Sequence, residues 1–232
     1  MAADVAEPAA VDGMARTARE RLGPVDLLVA NAARAEDPDL LATTPEGWDR
    51  QVAVTLRGPF LCARAVLPGM RERRRGAIVA VGSVNGVGMF GNEAYSAAKA
   101  GLASLVRSIA VGYGPDGVRA NLVVPGTLRT AAWDERLGRD PDALERVARW
   151  YPLGRVGEVH DVVGPVLFLL SDEAAWVTGA ALIVDGGLLA GNGPMTRDIL
   201  GSVDGGQPGA ERPEQGEGQG EPQPDYQPDD PP

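Results

Sequence analysis

The sequence is poor in the residue types on which several kinds of site depend. It has one cysteine, Cys62, and one histidine, His160, so no internal disulfide and no ordinary zinc site is expected. Cys62 stands between Leu61 and Ala63 on an apolar stretch and is predicted to fill a core rather than act as a nucleophile. This cysteine usage fits a reducing cytoplasm, where we expect the protein to reside.

Long apolar runs and excess positive charge are missing as well. The most apolar stretch, residues 162–170, is far shorter than the ~20 residues of a membrane span, and residues 1–7 do not resemble a signal peptide. A net charge of −10 argues against a nucleic-acid partner. The one basic cluster, Arg71 and Arg73–Arg75, lies where a helix is predicted to end and is interpreted as solvated charge that complements the helix dipole.

From residue 194 the composition changes to glycine, proline, glutamine and acidic residues. Residues 194–232 hold nine acids and two arginines, and such a segment cannot bury enough apolar surface to offset its ordering entropy. We therefore expect a folded catalytic domain over residues 1–193 and a disordered acidic tail over 194–232. The tail could recruit a partner, but its composition favours a role in solvation alone.

Before the tail, apolar strands alternate with helical patterns. Helices are predicted over residues 8–22, 44–60, 94–113, 142–150 and 161–171, and strands over 25–30, 77–81, 118–124 and 181–184. The second of these helices carries an apolar stripe at four-residue spacing, formed by Trp48, Val52, Leu56 and Phe60. Strands rich in valine, isoleucine and leucine between helices predict a parallel sheet covered on both faces. Sites in such sheets lie beyond the carboxyl ends of the strands, which here are Asn31, Ser83 and Pro125.

Two residues on one predicted helix are suited to proton transfer. Tyr95 and Lys99 are four positions apart and project from the same helix face. A nearby ammonium stabilises a phenolate, so we expect Lys99 to lower the pKa of Tyr95 and make it a usable acid or base. Ser83 at a strand end could hydrogen-bond the same substrate oxygen. Lys99 is the only lysine beside 21 arginines, which favours chemistry over chance placement on a surface.

With these residues the sequence resembles the short-chain dehydrogenase/reductase family over nearly all of residues 3–190. The segments that carry the resemblance are DLLVANAA (26–33), IVAVGSVNG (78–86), YSAAKAGL (95–102), VRANLVVPGTLRT (118–130), PLGRVG (152–157) and WVTGAALIVDGG (176–187). The resemblance implies a Rossmann-like, doubly wound parallel α/β sheet. It also implies an NAD- or NADP-dependent oxidoreductase that interconverts a carbonyl and a secondary alcohol, without choosing between the two cofactors.

The resemblance assigns roles residue by residue. Ser83 would polarise the substrate oxygen, Tyr95 would transfer the proton, and Lys99 would bind the nicotinamide ribose. Asn31, followed by Ala32 and Ala33, would lie beside the adenine ribose, and Asp4 and Val5 against the adenine ring. Pro125, Gly126, Leu128 and Thr130 would meet the nicotinamide carboxamide. A homotetramer built on the two long helices is also implied, with close approach at Ala97, Ala98, Gly101 and Ala103.

The sequence departs from the family pattern before Asn31. Family members begin with a strand, a T-G-x-x-x-G-x-G loop and a helix that hold the pyrophosphate, and no such loop precedes Asn31. We therefore expect a sheet that lacks its first strands and helix, and a parent protein whose reading frame starts further upstream. The alternative is a short subunit, catalytically impaired, that acts only in oligomerisation or binding.

A second departure is Thr55, which stands where the family usually has a catalytic asparagine whose carbonyl holds a relay water. Pro59 has no N–H, so it cannot bond the carbonyl four residues earlier. We expect the carbonyl of Thr55 to serve the relay despite the change of side chain.

Three aromatic residues follow the Pro125 turn. Trp133, Trp150 and Tyr151 are expected either to line an apolar substrate pocket or to pack in the core.

Overall fold

The computed structural model describes residues 2–36 and 39–201. Its helices and strands alternate along the chain as the sequence predicts. In chain order they are α1 (Pro8–Leu22), β1 (Leu27–Ala30), α2 (Pro45–Val52), α3 (Gly58–Glu72), β2 (Gly76–Val81), α4 (Glu93–Tyr113), β3 (Val118–Pro125), β4 (Leu128–Arg129), α5 (Asp134–Arg139), α6 (Ala143–Ala148), β5 (Gly157–Glu158), α7 (Val159–Leu170), β6 (Ala181–Val184) and α8 (Gly193–Leu200).

Local signals in the sequence set the ends of the first helices. Pro8 occupies the first turn of α1, where its missing N–H costs nothing. The helix stops at Gly23, which has a φ of 85° and donates its N–H to the carbonyl of Arg19. Thr44 caps α2, since its hydroxyl accepts a hydrogen bond from the N–H of Gly47.

Four parallel strands form the main sheet in the order β1-β2-β3-β6. Val79 of β2 lies opposite Asn121 of β3, and Val123 of β3 lies opposite Leu182 of β6. The short strands β4 and β5 pair separately, through Leu128 with Gly157 and Arg129 with Glu158. The predicted parallel α/β sheet is confirmed, and its strands all end on the same side.

Helices cover both faces of this sheet. On one face α3 and α4 enclose the largest apolar cluster, which includes Met70, Ile78, Leu102 and Val106. On the other face α7 packs Val162 and Leu169 against Val79 and Val123. The strand β2 is therefore apolar on both sides, as a strand buried between two helical layers must be. No helix in the described ranges is long and apolar enough to cross a membrane.

The helix predicted over 44–60 is interrupted. Residues Ala53–Arg57 form a π-helical turn between α2 and α3, in which the N–H of Gly58 donates to the carbonyl of Ala53, five residues earlier. Pro59 has no N–H to donate to the carbonyl of Thr55, four residues earlier, so the ordinary α-helical pattern is broken here and the wider π-helical turn takes its place.

The face of this segment that turns inward also differs from the prediction. Trp48 and Phe60, two members of the expected apolar stripe, are 37% and 44% exposed, whereas Gln51 and Thr55 are fully buried. Their side chains hold the segment that follows β1: Gln51 accepts from the N–H of Glu36, and Thr55 accepts from the N–H of Arg34.

The predicted tail begins inside α8. Asn192 caps this helix by accepting from the N–H of Met195, and Pro194 occupies the first turn. The boundary at residue 194 therefore needs correction, because residues 194–200 are helical. Residues 202–232, the remainder of the predicted disordered tail, lie outside the described residues.

Candidate active site

The carboxyl ends of β1, β2 and β3 open into one cavity of about 280 Å³. Asn31, Ser83 and Pro125, the three strand ends chosen from the sequence, all line it. Tyr95 and Lys99 reach it from α4, and Gly126, Leu128 and Thr130 reach it from the loop after β3. The structure thus brings the three predicted catalytic side chains together with most of the predicted cofactor contacts.

Ser83 is held by a turn of its own backbone. Its Oγ accepts the N–H of Asn85 at 3.1 Å and lies 3.3 Å from the Asn85 side-chain oxygen. Asn85 is in turn fixed through its amide, which donates to the carbonyl of Gly91 and to the hydroxyl of Ser96. Asn85 was not predicted as a site residue from the sequence, although serine is one of the residues whose side chain forms such turns with the backbone two positions on.

The pKa of Tyr95 moves in the direction opposite to the expectation. Burial raises the pKa of the phenol, and a hydrogen bond with the Ser83 side chain offsets only part of that rise. The expected lowering by Lys99 is wrong for this arrangement. The Lys99 ammonium lies 5.4 Å from the centre of the Tyr95 ring, so it faces the ring itself.

Lys99 is a buried cation with one hydrogen-bond partner among the described residues. It is 3% exposed, and its ammonium donates to the carbonyl of Val81, at the end of β2. Burial lowers the pKa of the Lys99 amine from its ordinary value of 10.5 to about 8. An ammonium has three N–H donors, so two remain to meet other acceptors in the cavity.

The loop after β3 is fixed by a residue that the sequence analysis did not assign to it. Tyr151 is 5% exposed, and its hydroxyl accepts the N–H of Thr127 at 2.7 Å. Its ring would also touch any side chain at Gly126, where a Cβ would lie 2.9 Å from the ring edge. Tyr151 therefore fixes the height of the Pro125–Thr130 loop above the sheet. No local pattern indicates this bond, since 24 residues separate its partners.

The residues expected near the adenine and its ribose lie in different parts of the structure. Ala33 lines the cavity with Asn31, whereas Ala32 is not among its lining residues. Asp4 borders a separate cavity, together with Arg34 and Arg57. Val5 packs in a small apolar cluster with Val11 and Leu61.

Thr55 also lies outside the cavity of the catalytic residues. Its hydroxyl accepts from the N–H of Arg34 and donates to the carbonyl of the same residue, at 3.0 and 3.2 Å. Its side chain therefore anchors the chain after β1 and does not point to a substrate.

The aromatic residues after the Pro125 turn line a cavity, and one of them is also part of the core. Trp133, Trp150 and Tyr151 line a second cavity beside Tyr95, and Tyr151 also belongs to a buried cluster with Leu144 and Val156. Asp185, in the turn after β6, is likewise structural. Its carboxylate accepts the N–H groups of Gly187 and Leu189.

The arrangement can hold an oxygen atom of a small molecule and exchange a proton with it. Ser83 and Tyr95 present hydroxyl groups from neighbouring elements, with a buried ammonium behind the phenol ring. Two hydroxyl donors that converge on one oxygen stabilise the negative charge that develops there. Within the described residues, no group of three histidine, cysteine or acidic side chains could hold a metal ion.

Known proteins share this sequence and architecture. The family model described as enoyl-(acyl carrier protein) reductase matches residues 1–189. An uncharacterized oxidoreductase of Schizosaccharomyces pombe is 44% identical over 198 residues, which cover 85% of this chain and 77% of that protein.

Two solved structures resemble the fold closely. An oxidoreductase of the short-chain dehydrogenase/reductase family from Burkholderia thailandensis is 46% identical with a TM-score of 0.81, over 86% of this chain and 77% of that one. A gluconate 5-dehydrogenase from Burkholderia cenocepacia, in complex with NADP and tartrate, is 31% identical with a TM-score of 0.76, over 81% of this chain and 74% of that one.

Proposed function

The chain belongs to the short-chain dehydrogenase/reductase family, and on that premise we propose that it interconverts a carbonyl compound and a secondary alcohol with NAD or NADP. One observation carries the proposal: Ser83, Tyr95 and the single lysine of the chain converge on one cavity at the strand ends. A lysine that served only as surface charge would be exposed, whereas Lys99 is 3% exposed and lies beside a tyrosine.

Tyr95 is proposed as the acid and base. Because burial raises its pKa, the phenol is protonated at neutral pH, and this is the form that gives a proton to a carbonyl oxygen. In the reverse direction the same oxygen takes the proton of an alcohol. Ser83, hydrogen-bonded to Tyr95, is proposed to hold the substrate oxygen so that the two hydroxyls share its charge.

The residues of the cavity fit the nicotinamide half of the cofactor. Lys99 has ammonium donors suited to ribose hydroxyls, and the loop from Pro125 to Thr130 offers backbone amides and a hydroxyl suited to a carboxamide. Asn31, at the end of β1, is proposed to lie beside the adenine ribose. When bound, the nicotinamide supplies or accepts the hydride. The tasks of the chain's own residues are to orient that ring and to move the proton.

Further assignments are proposals of the same kind. Asp4 and Val5 are proposed to border the adenine, and the carbonyl of Thr55, in the π-helical turn, to hold a relay water. A homotetramer is proposed from the family resemblance. A reducing, cytoplasmic location is proposed because Cys62 is buried and free.

The test is turnover of a simple aryl ketone with NADH or NADPH by wild type and by Tyr95→Phe. We expect Tyr95→Phe to lower turnover by about a hundredfold or more, as the loss of a general acid does, with little change in cofactor binding measured by fluorescence titration. Tyr113→Phe, at the far end of the same helix α4, is the matched control and should keep full activity.

The two titrations and the turnover assay separate the possible readings. Turnover by Tyr95→Phe within tenfold of wild type would contradict the proposed role of the phenol. A wild-type chain that binds neither cofactor and reduces no ketone would support the alternative, a subunit that acts only through binding.

A further inference from the structure

A larger cavity opens directly beside Tyr95. Its volume is about 780 Å³, and it shares Val84, Asn85, Tyr95, Thr127 and Trp133 with the cavity of the catalytic residues. The two spaces therefore meet at the phenol. A substrate whose reacting oxygen lies against Tyr95 must place the rest of its body in this larger space, so the walls of the larger cavity decide which substrates fit.

Most of these walls are apolar, and many are aromatic. The rings come from Phe90, Trp133, Trp150 and Tyr151, and aliphatic side chains come from Leu188 and Leu189. A space of this size and lining suits a substrate with a large apolar or aromatic body, because burial of such surface away from water is the main source of its affinity.

One charged side chain faces this apolar space. Arg136 of α5 is the only ionised residue among the described residues that line the cavity. Its guanidinium carbon lies over the Trp133 ring, 5.0 Å from the ring centre, where a cation is attracted to the indole. The guanidinium has five N–H donors, and a carboxylate binds them in the plane of the fork.

Arg136 has no direct ion-pair partner among the described side chains. Among the described side chains, no carboxylate lies within 4.0 Å of its guanidinium. The positive charge of Arg136 helps to lower the pKa of Asp140, but the carboxylate of Asp140 is ion-paired with Arg146. A cation on the wall of an apolar cavity, without a carboxylate of its own, is suited to receive one from a ligand.

We propose that the substrate is a carbonyl or alcohol compound with an apolar or aromatic body and a carboxylate, and that Arg136 binds this carboxylate while Tyr95 meets the reacting oxygen. The proposal rests on the proposed function for its orientation, since Tyr95 defines the reacting end. The overall charge of −10 repels anions, so a preference for an acid would have to come from this local cation.

Calorimetric titration of the full chain tests the proposal without any turnover. The probes are acetophenones with a para-carboxylate attached directly or through one or two methylene groups, each paired with its carboxamide. Acid and amide have nearly the same shape and differ in charge. Arg136 is exposed, and we expect the best-fitting acid to bind about tenfold more tightly than its amide, as a charge-assisted hydrogen bond allows.

Substitutions then assign the preference to one residue. Arg136→Met should abolish the advantage of the acid and leave the affinity of the amide unchanged, and Arg136→Lys should restore part of it. Arg149→Met is the matched control: the Arg149 guanidinium lies 4.9 Å from the centre of the Trp150 ring, but Arg149 does not line the cavity. Its removal should alter neither affinity.

Three results would overturn the proposal. They are equal affinities of acid and amide for wild type, an Arg136→Met variant that keeps the preference for the acid, and no binding of any acid in the series. None of these depends on catalysis, so failure here is distinct from retention of turnover by Tyr95→Phe, which would contradict the proposed function instead.

Discussion

Lys99 places a positive charge inside the domain, where 3% of its surface reaches solvent. Water stabilises an ammonium better than an apolar surrounding does, so the protonated side chain weakens the fold even while the site needs its charge. A pKa lowered from 10.5 to about 8 corresponds to a cost of about 3 kcal/mol for holding the proton in the native state. This is a stability cost borne at a functional position.

A pH-dependent difference in stability between wild type and Lys99→Met follows. Between about pH 8 and pH 10.5 the unfolded chain binds a proton that the native chain does not, so the free energy of unfolding of wild type rises with pH. We expect Lys99→Met to be more stable than wild type at pH 7, by about 1 to 3 kcal/mol, after the loss of the bond to Val81 is subtracted. That advantage should shrink as the pH rises towards 10.

Urea unfolding at a series of pH values measures this difference. Arg107→Met, which removes an exposed cation from the same helix, is the control and should show no such convergence. A gap between Lys99→Met and wild type that is constant or widens with pH would contradict the account of Lys99.

For single residues, the sequence predicts which side chains form the site better than it predicts their pKa values and their hydrogen bonds. Ser83, Tyr95 and Lys99 could be found because spacing on a helix and position after a strand are local properties. The direction of the Tyr95 pKa could not be found, since it depends on how deeply the assembled fold buries the phenol. The bond from Thr127 to Tyr151 was missed for the same reason.

The C-terminal end of α7 depends on one side chain from β3. Arg119 donates to the carbonyls of Leu169 and Ser171 at 2.7 and 2.9 Å and approaches those of Leu170 and Val177 at 3.5 Å. Terminal carbonyls of a helix have no partners within it, and a cation at that end also complements the helix dipole. The fork thereby ties α7 to the sheet and to the segment that leads into β6.

Arg119→Met should lower the free energy of unfolding by about 2 kcal/mol, because several carbonyls lose a charged donor together. Arg119→Lys should recover part of this, since an ammonium keeps the charge but not the fork. Urea midpoints with an unchanged slope give the measurement.

A surface arginine supplies the comparison for Arg119. Arg129→Met removes an ion pair between exposed side chains, Arg129 and Glu158, and should cost well under 1 kcal/mol. Equal losses for Arg119→Met and Arg129→Met would show that the carbonyl contacts contribute nothing special.

Element types were predictable because strands and helices differ in period and in their start and stop residues. Only Pro59 indicated the π-helical turn, and the inward face of the segment 44–60 is not the face that its apolar spacing indicated. Apolar spacing favoured Trp48 and Phe60, but the inward positions went to Gln51 and Thr55. Those two residues are buried because their side chains accept hydrogen bonds from backbone N–H groups of the segment after β1. The spacing of apolar residues in the sequence does not indicate such hydrogen bonds.

Across the whole molecule, apolar surface remains uncovered on one side of the sheet. Val159, Val163 and Leu167 follow one another at four-residue spacing on α7 and are 56%, 47% and 59% exposed. An exposed apolar patch of this kind is typical of an interface between protein chains. Because α7 is apolar on all sides, its sequence could not indicate which face the domain would leave open.

We expect the protein to associate through this patch, so that its mass in solution exceeds the 24.2 kDa of one chain. Leu167→Lys should reduce the particle size, because a charge in an apolar interface is costly to bury. Light scattering after size exclusion measures it. Ala97→Lys, on the α4 face chosen from the family resemblance, distinguishes the two surfaces. If only Ala97→Lys dissociates the particle, the interface lies on α4.

The burial of Lys99 also decides how the folded protein meets reagents and enzymes that act on amines. Because the chain has no other lysine, enzymes that acetylate lysine side chains or conjugate ubiquitin to them find no accessible target while the domain is closed. Such enzymes can reach Lys99 only through local or global opening. A covalent modification found on this lysine would therefore show that the molecule had opened, and the modified group would lie in the active site.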